Sequence, residues 1–234
     1  MELKKLEWDS EFFETPVYSA SLTEVIDIDA IKDQLSNVGS ALIYVFITDE
    51  QSALHDKLVS SGALFFDTRI VYRKILGKDG YRNVSDQMII PYQGPATDVL
   101  KKLALQAGMY SRFHSDDRLK PYFEGLYENW LVNSLNKKIA DEMFVFEEDG
   151  CISGFITLKL KKDGGWIGLL SVDPLRQNIG VGGRLLKAGE QYLLDHHVSN
   201  SFVITQEDNM KACVFYESCG YNILRREFIY HWWI

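Results

Sequence analysis

Cysteine is scarce in this chain of 234 residues, which has three: Cys151, Cys213 and Cys219. An odd number without paired spacing argues against a disulfide framework. The five histidines are scattered, and only His196 and His197 are neighbours, whereas tetrahedral zinc needs four convergent ligands. We therefore expect neither a disulfide scaffold nor a metal site.

Long apolar runs and positive charge are also in short supply. The longest apolar stretches, such as 41–47, are strand-sized, whereas a membrane helix needs about 20 apolar residues. The chain opens without a signal-peptide pattern, so we expect a cytoplasmic protein with no membrane partner. The net charge of −8 gives no electrostatic footprint for nucleic acid, although a local basic pocket could hold a phosphorylated small ligand.

Hydrophobic periodicity divides the chain at the polar segment 79–85, which contains an Asp-Gly turn. Alternating strand and helix patterns before it predict a small α/β domain over residues 1–80. The patterns after it predict a larger domain over residues 86–234. That domain includes a polar loop at 111–120 and a helix at 121–135.

The two halves share one local pattern. Ser60-Ser61-Gly62-Ala63 leads from a predicted helix into a strand, and Ser218-Cys219-Gly220-Tyr221 does the same. Two interpretations are open. Any junction of a helix, a glycine and a strand could show this pattern, or the first half could be a degenerate copy of the second. When the two segments are aligned, Leu58 corresponds to Tyr216. The first half would then lack the polar group, so we expect residues 1–80 to be structural and not catalytic.

Three glycines open a predicted helix directly after a strand that ends at Val172. The run Gln177-Asn178-Ile179-Gly180-Val181-Gly182-Gly183-Arg184 joins the two elements. A helix start exposes unpaired N–H groups and the positive end of the helix dipole. Each glycine costs a helix about 1 kcal/mol relative to alanine, so a turn alone does not explain three of them. The run predicts a pyrophosphate site, to which Arg176 and Arg184 can add charge.

This run has the form Gln/Arg-x-x-Gly-x-Gly/Ala and resembles the first signature of the GNAT superfamily of N-acetyltransferases. The segment 209–221 is similar to that superfamily's Asn-x-x-Ala-x-x-x-Tyr-x-x-x-Gly-Phe/Tyr pattern. The resemblance implies an α/β (α+β) GNAT fold, with a mixed, splayed central sheet flanked by helices. Here a small α/β domain would precede it.

The resemblance also implies a site for acetyl-CoA as co-substrate, without a metal. The residues assigned to its binding are Leu169, Leu170, Ser171, Val172, Gln177, Asn178, Ile179, Gly180, Val181, Gly182, Gly183, Arg184 and Asn209. The pantetheine arm would lie along the 169–172 strand, and an N–H near Leu170 would face the thioester oxygen. Tyr216 would be the catalytic proton donor to the leaving thiolate, since its ordinary pKa of about 10 keeps it protonated at pH 7.

A narrower resemblance, to the TDP-fucosamine N-acetyltransferases, rests on the opening Trp8-Asp9-Ser10-Glu11-Phe12-Phe13, on Ser111-Arg112-Phe113 and on Ile167-Gly168-Leu169-Leu170. It implies a nucleotide-linked amino sugar as acceptor. Ser111, Arg112 and Phe113 would bind the acceptor, and Arg112 could hold a phosphate.

Several alternatives stay open at the level of sequence. The proton acceptor for the amine could be Asp116, Asp117, His114 or Ser171. The substrate could be another small amine, such as an amino acid, polyamine or antibiotic, or the chain could be a non-catalytic CoA-binding module. A homodimer is possible, with Trp232 and Trp233 as one candidate contact.

Overall fold

The computed structural model describes residues 3–48, 52–77 and 86–234, so the predicted boundary segment 79–85 lies outside the described residues. The strands are β1 (Leu3–Lys5), β2 (Val17–Ser21), β3 (Leu42–Thr48), β4 (Leu64–Ile75), β5 (Ile89–Pro91), β6 (Glu142–Glu148), β7 (Cys151–Lys161), β8 (Gly164–Val172), β9 (Asn200–Gln206) and β10 (Asn222–Trp233). The α-helices are α1 (Glu7–Phe12), α2 (Ile26–Leu35), α3 (Ser52–Ser60), α4 (Asp98–Gly108), α5 (Arg112–Ser115), α6 (Phe123–Leu135), α7 (Val181–Asp195) and α8 (Met210–Ser218).

The described strands form one mixed sheet, in the order β1-β2-β3-β10-β4-β9-β8-β7-β6-β5. The last strand, β10, lies between β3 and β4 and pairs antiparallel with both. Strand β4 in turn pairs antiparallel with β9. Each half of the chain therefore inserts its last strand next to a strand of the other half.

The two sides of the β10–β4 pair have matching topology. Strands β2 and β3 are parallel on one side, and β8 and β9 are parallel on the other. Helices α3 and α8 have nine residues each, and β4 and β10 have twelve each. Gly62 and Gly220, which follow these helices, both have positive φ angles, 92° and 86°, a conformation that favours glycine. The pattern shared in sequence thus falls on equivalent elements of the fold.

The core covers both faces of the sheet because successive residues of a strand point in opposite directions. On β6, Val145 packs in the cluster that contains residues of α4 and α6, whereas Phe146 packs in the cluster of α7 and α8. Helix α7 presents an apolar face with Val181, Leu185 and Leu193 buried. A third cluster joins α2 and α3 to β3 and β10.

The predicted fold class is confirmed: the structure has a mixed sheet flanked by helices. The predicted loop 111–120 contains the short helix α5, however, and α6 begins at Phe123 after a 3-10 turn at Lys120–Tyr122. Strand β1 and helix α1 were not predicted, because they have three and six residues, too few for a clear periodicity. Among the described residues, no helix is long and apolar enough to cross a membrane.

Candidate active site

A cleft opens where two parallel strands separate. Strands β8 and β9 pair only at Gly165–Ser201, Trp166–Phe202 and Ile167–Val203, and then diverge. The rest of β8, from Gly168 to Val172, lines a cavity of about 1450 Å³. Backbone groups on the separated edges need hydrogen-bond partners, so the cleft suits an extended ligand that carries amides.

A β-bulge shapes the cleft edge of β8. The register with β7 shifts between the pairs Ile156–Leu170 and Leu158–Ile167, and the Leu169 N–H donates to Thr157 Oγ1 at 2.8 Å. Bulges change the direction of the following backbone groups. All four strand residues predicted to bind the cofactor, 169–172, line the cavity.

The turn from β8 to α7 leaves the helix start open. Asn178 and Gly180 adopt left-handed backbone conformations, with φ of 63° and 90°. A Cβ placed on Gly180 or Gly183 would meet no atom within 4 Å, whereas one on Gly182 would lie 3.4 Å from the Phe215 ring. The first turn of α7 therefore presents bare backbone to the cavity at Gly180 and Gly183.

The predicted cofactor residues in this turn fall into two groups. Those that line the cavity are Gln177, Asn178, Gly180, Gly182 and Gly183. Gln177 uses its side-chain amide to donate to the Val172 carbonyl at 3.1 Å, and Gln106 donates to the same oxygen at 2.9 Å. Gln177 thus holds the turn to the end of β8.

Three of the predicted residues do not line the cavity. Ile179 is 62% exposed and Val181 is buried in the core. Arg184 donates from Nε and Nη2 to Asp86, both at 2.5 Å, and its guanidinium lies over the Phe146 ring. The side chains of these three residues do not line the cavity, because helical spacing turns Val181 inward and Asp86 holds Arg184. Their predicted contact with the cofactor is left to backbone groups. Arg176 pairs with Glu148 instead.

Helix α8 brings Asn209 and Tyr216 to the opposite wall of the cavity. Asn209 caps the helix by accepting from the Ala212 N–H at 3.2 Å. The Tyr216 ring lies between Tyr72 and Tyr221, at centroid distances of 6.1 and 5.7 Å. Burial raises the pKa of the Tyr216 hydroxyl, and no hydrogen bond from this hydroxyl to another described residue is found. It is therefore a protonated group available to a ligand.

Ser111, Arg112 and Phe113, which the sequence assigned to an acceptor site, also line the cavity. The Arg112 guanidinium lies over the rings of Tyr44 and Phe113, at 4.6 and 4.3 Å. Aromatic side chains complete this wall. They are Tyr110, Tyr127 and Trp130.

Strand β4 brings two residues of the first half to the site. Arg69 lines the cavity, and Asp67 is buried beside it at 6% exposure. Burial raises the pKa of Asp67 to about 7, although the cations Arg112 and Arg69 lower it. The sequence predicted that residues 1–80 are not catalytic and left open whether they reach the acceptor site; Arg69 shows that the first half does line the cavity. Strand β4 also contains Arg73 and Lys74, so the charge of Asp67 and Arg69 did not single them out in the sequence.

The predicted proton acceptors are differently placed. Asp116 is buried and accepts hydrogen bonds from His231 at 2.6 Å and from Trp233 at 3.3 Å. Burial acts to raise the pKa of Asp116, but these bonds keep it below its usual value. Asp117 is exposed, and His114 packs on Phe123. Neither Asp116, Asp117 nor His114 lines the cavity, whereas Ser171 does.

The cavity wall is cationic although the chain is acidic. Its lining includes Arg69, Arg112, Lys159, Lys161 and Lys211, and within the described part of the chain it includes no aspartate or glutamate. An anionic ligand is therefore favoured there. No cluster of His, Cys, Asp and Glu suited to a metal ion occurs in the described ranges.

Comparison with known proteins gives a consistent picture. Residues 107–221 match the model of the acetyltransferase (GNAT) family. A Bacillus subtilis (strain 168) relative, "Uncharacterized protein YxbD", is 26% identical over 95 residues. This match covers 41% of the present chain and half of that protein.

Two solved structures show the same fold. A GCN5-related N-acetyltransferase from Sphaerobacter thermophilus has a TM-score of 0.59 at 12% identity, over 99% of this chain and 76% of that one. The PaiA N-acetyltransferase from Thermoplasma acidophilum, solved with coenzyme A, has a TM-score of 0.50 at 16% identity, over 61% of this chain and 97% of that one. The family model therefore indicates the GNAT acetyltransferase family over residues 107–221, and the two neighbours show the same fold.

Proposed function

We propose that this chain is a GNAT-type acyltransferase that moves the acetyl group of acetyl-CoA to the amine of a small molecule. One observation carries the proposal. A single cleft joins the separated strands β8 and β9, the open glycine start of α7 and the protonated Tyr216 hydroxyl. These features match the anionic, amide and thioester parts of one ligand.

The residues present fit acetyl-CoA. Backbone N–H groups at Gly180–Gly183 would bind the pyrophosphate at the helix start, and the free edge of β8 would pair with the pantetheine amides. Asn209 would contact the same arm. When bound, the co-substrate supplies the activated acetyl group.

Two groups of the chain would act on the reacting atoms. An N–H near Leu170, beyond the bulge, would donate to the carbonyl oxygen where negative charge develops, which is commonly the largest contribution in acyl transfer. Tyr216 would give its proton to the departing sulfur. No cysteine nucleophile is needed for direct transfer: Cys213 is buried and burial raises the pKa of its thiol.

We propose Asp67, which lies close to the cavity residue Arg69 but does not itself line the cavity, as the group that finally receives the proton that the amine loses; Ser171, which lines the cavity, is the alternative. Three cavity residues, Arg69, Arg112 and Gln206, all act on the Asp67 carboxyl to lower its pKa, against the effect of burial. A base works best when its pKa is close to the working pH, and that of Asp67 is about 7. His231 is a weaker candidate because burial lowers its pKa to about 4.

For the acceptor, we propose a nucleotide-linked amino sugar of the dTDP-4-amino-4,6-dideoxyhexose type. The support is the cationic lining, which suits a diphosphate, next to the aromatic wall, which suits a base or sugar ring. An amino acid or an antibiotic amine is the alternative acceptor. A polyamine fits poorly, because the cavity lining contains cations and, in the described part of the chain, no aspartate or glutamate to pair with its positive charges. A non-catalytic CoA-binding module would not need the Tyr216 hydroxyl.

Thermal-shift measurements test this proposal, since a ligand of the native state raises its apparent stability. Acetyl-CoA should raise the melting temperature, and dTDP-linked amino sugars should raise it further in the presence of CoA. UDP-linked amino sugars and free amines serve as comparisons. Absence of any shift with acetyl-CoA would contradict the acyltransferase function, whereas a shift with acetyl-CoA alone would contradict only the sugar nucleotide.

A further inference from the structure

Arg112 carries a charge that the described part of the protein does not neutralise by direct contact. Its guanidinium is held between the Tyr44 and Phe113 rings, and its buried Nε has no hydrogen-bond partner. It forms no ion pair with any described carboxylate. A buried donor without a partner costs free energy, so its retention indicates a role for the bound state.

A second arginine lies nearby on the same cavity wall. Arg69 donates from Nε, at 2.7 Å, and from Nη2 to one oxygen of Glu227, and its guanidinium lies over Phe46. These contacts fix its side chain. Glu227 also accepts from Arg225 at 2.9 Å, so one carboxylate serves two arginines.

The charge of Arg112 is only partly compensated. Burial lowers the pKa of Arg112, and the Arg69 cation lowers it further, whereas Tyr44 and Asp67 favour the charged form. The pKa of Asp67, raised by burial to about 7, leaves that carboxyl partly protonated at neutral pH. Arg69 has Glu227 as its ion-pair partner, whereas Arg112 forms no ion pair within the described ranges and has only the partly protonated Asp67 to compensate its charge.

We infer that Arg112 and Arg69 together bind one oxyanion of the acceptor, a carboxylate or a phosphate. This inference rests on the proposed function for the identity of the ligand as acceptor. The two arginines belong to α5 and β4, whereas the predicted pyrophosphate site is formed by the start of α7, and both line the same cavity. The first half of the chain then contributes to acceptor choice through β4, and amines without a neighbouring oxyanion are poor substrates.

Binding of simple anions tests the site without any turnover. Sodium phosphate and sodium acetate are titrated calorimetrically at constant ionic strength into protein saturated with CoA, so that the glycine turn is already occupied. Phosphate or acetate should bind the wild type, and Arg112→Gln and Arg69→Gln should each weaken that binding about tenfold or more. Comparison of the two probes distinguishes a phosphate site from a carboxylate site.

Two further variants make the result specific. Lys101→Gln removes one positive charge from the surface of α4, where Lys101 pairs with Glu128, and should leave anion binding unchanged. Arg112→Lys keeps the charge but loses the planar fork, so it should bind the anion with intermediate affinity. If Arg112→Gln does not fold, Arg112→Lys takes its place as the test variant. No anion binding to the wild type, or equal binding in all folded variants, would overturn the site.

A turnover experiment links the site to the acceptor. O-phosphoethanolamine should compete with the acceptor at least about tenfold better than ethanolamine, which lacks the oxyanion. Arg112→Gln and Arg69→Gln should raise the KM for the acceptor and leave that for acetyl-CoA unchanged. Equal effects on both substrates would overturn the inference. A protein that binds the anion, loses this binding in the arginine variants and shows no transferase activity would refute the proposed function. The anion site itself would still be supported.

Discussion

Tyr216 stands out at the scale of single residues because its hydroxyl has no hydrogen bond within the described structure while burial raises its pKa. We expect Tyr216→Phe to lower kcat by about 10²–10⁴-fold, the usual contribution of a general acid. Acetyl-CoA affinity should change little, since the ring and its packing remain. The measurement is steady-state kinetics together with calorimetric binding of acetyl-CoA.

Tyr221→Phe is the matched control for that variant. Tyr221 lies in the same aromatic cluster, but its hydroxyl is hydrogen-bonded to Ser201 Oγ at 2.7 Å, and it does not line the cavity. This variant should keep kcat within a few-fold of the wild type. Normal turnover by Tyr216→Phe would show that Tyr216 is a packing residue and that solvent protonates the thiolate.

Asp67 gives a prediction for the pH dependence of stability. Its pKa is about 7 in the folded protein, against an ordinary value of 3.8, so the folded state holds the proton more tightly. The associated stabilisation is complete below about pH 4 and is lost as the pH rises through about 7. Asp67→Asn removes this dependence. The variant should therefore gain stability relative to the wild type between pH 4 and 8, by about 4 kcal/mol at most.

Urea unfolding of both proteins across that pH range measures the difference, in which the other titrating groups cancel. Asp117→Asn is a suitable control, because Asp117 is exposed and should show no such trend. A difference between Asp67→Asn and the wild type that does not vary with pH would mean that Asp67 is charged throughout. It would then be a partner of the arginines and not the proton acceptor.

At the scale of elements, the start of α7 is the part of the fold that the proposed function uses most directly. Leucine at Gly183 projects into open space and should block the approach of a pyrophosphate. We expect Gly183→Leu to weaken CoA binding about 100-fold or more, since it obstructs several backbone contacts at once. Leucine also favours a helix over glycine by about 1 kcal/mol, so unfolding would not explain the loss.

Gly183 is a better position for this test than Gly182, which the sequence alone suggested. A side chain at Gly182 would first meet Phe215 and could disturb α8. Gly39→Leu is the control, because its added side chain also meets no atom within 4 Å but lies in the loop before β3. Unchanged CoA affinity in folded Gly183→Leu, measured by calorimetry, would refute the pyrophosphate site.

The interleaved strands make a prediction at the scale of the whole molecule. Strand β10 has β3 on one side and β4 on the other, so residues 86–234 alone would lose both partners of their last strand. We expect the full chain to unfold in one cooperative transition, seen as coincident loss of tryptophan fluorescence and circular dichroism. We also expect isolated residues 86–234 not to fold as a monomer. Two separate transitions would show that the halves are independent.

The matching topology supports a proposal about the origin of the first half, namely that it is a degenerate copy of the second. The paired residues Arg69 and Glu227 are 158 positions apart, as are Gly62 and Gly220. Strands β2 and β3 stay paired over five residue pairs, whereas β8 and β9 separate after three. Leu58, at the position equivalent to Tyr216, is fully buried. The copy would thus have lost both the cleft and the proton donor.

The two C-terminal tryptophans belong to the interior of this arrangement. Trp232 is 2% exposed and donates to the Ser61 carbonyl at 3.1 Å, and Trp233 donates to Asp116. Both are therefore engaged within the chain. The homodimer remains a prediction, and the ends of the described sheet, β1 and β5, are the strand edges that a second copy could meet.

The sequence by itself determined the features that depend on neighbouring residues. The glycines that open α7, the cap at Asn209 and the placement of Tyr216 on the same cavity wall follow from helix geometry within short segments. Most strand and helix positions follow from local periodicity in the same way. The superfamily resemblance rests on these local features, and so the fold class was predictable.

Tertiary structure alone decided the features that depend on distant partners. Arg184 turns away from the cleft because Asp86, 98 residues earlier, holds it. Asp67 and Arg69 reach the site because β4 pairs with β9 of the other half. Neither pairing leaves a local trace, since any exposed strand edge or charged side chain can meet many partners. Which partners meet is determined by the exchange of β4 and β10 between the two halves. This exchange places charged residues of the first half beside the cleft of the second.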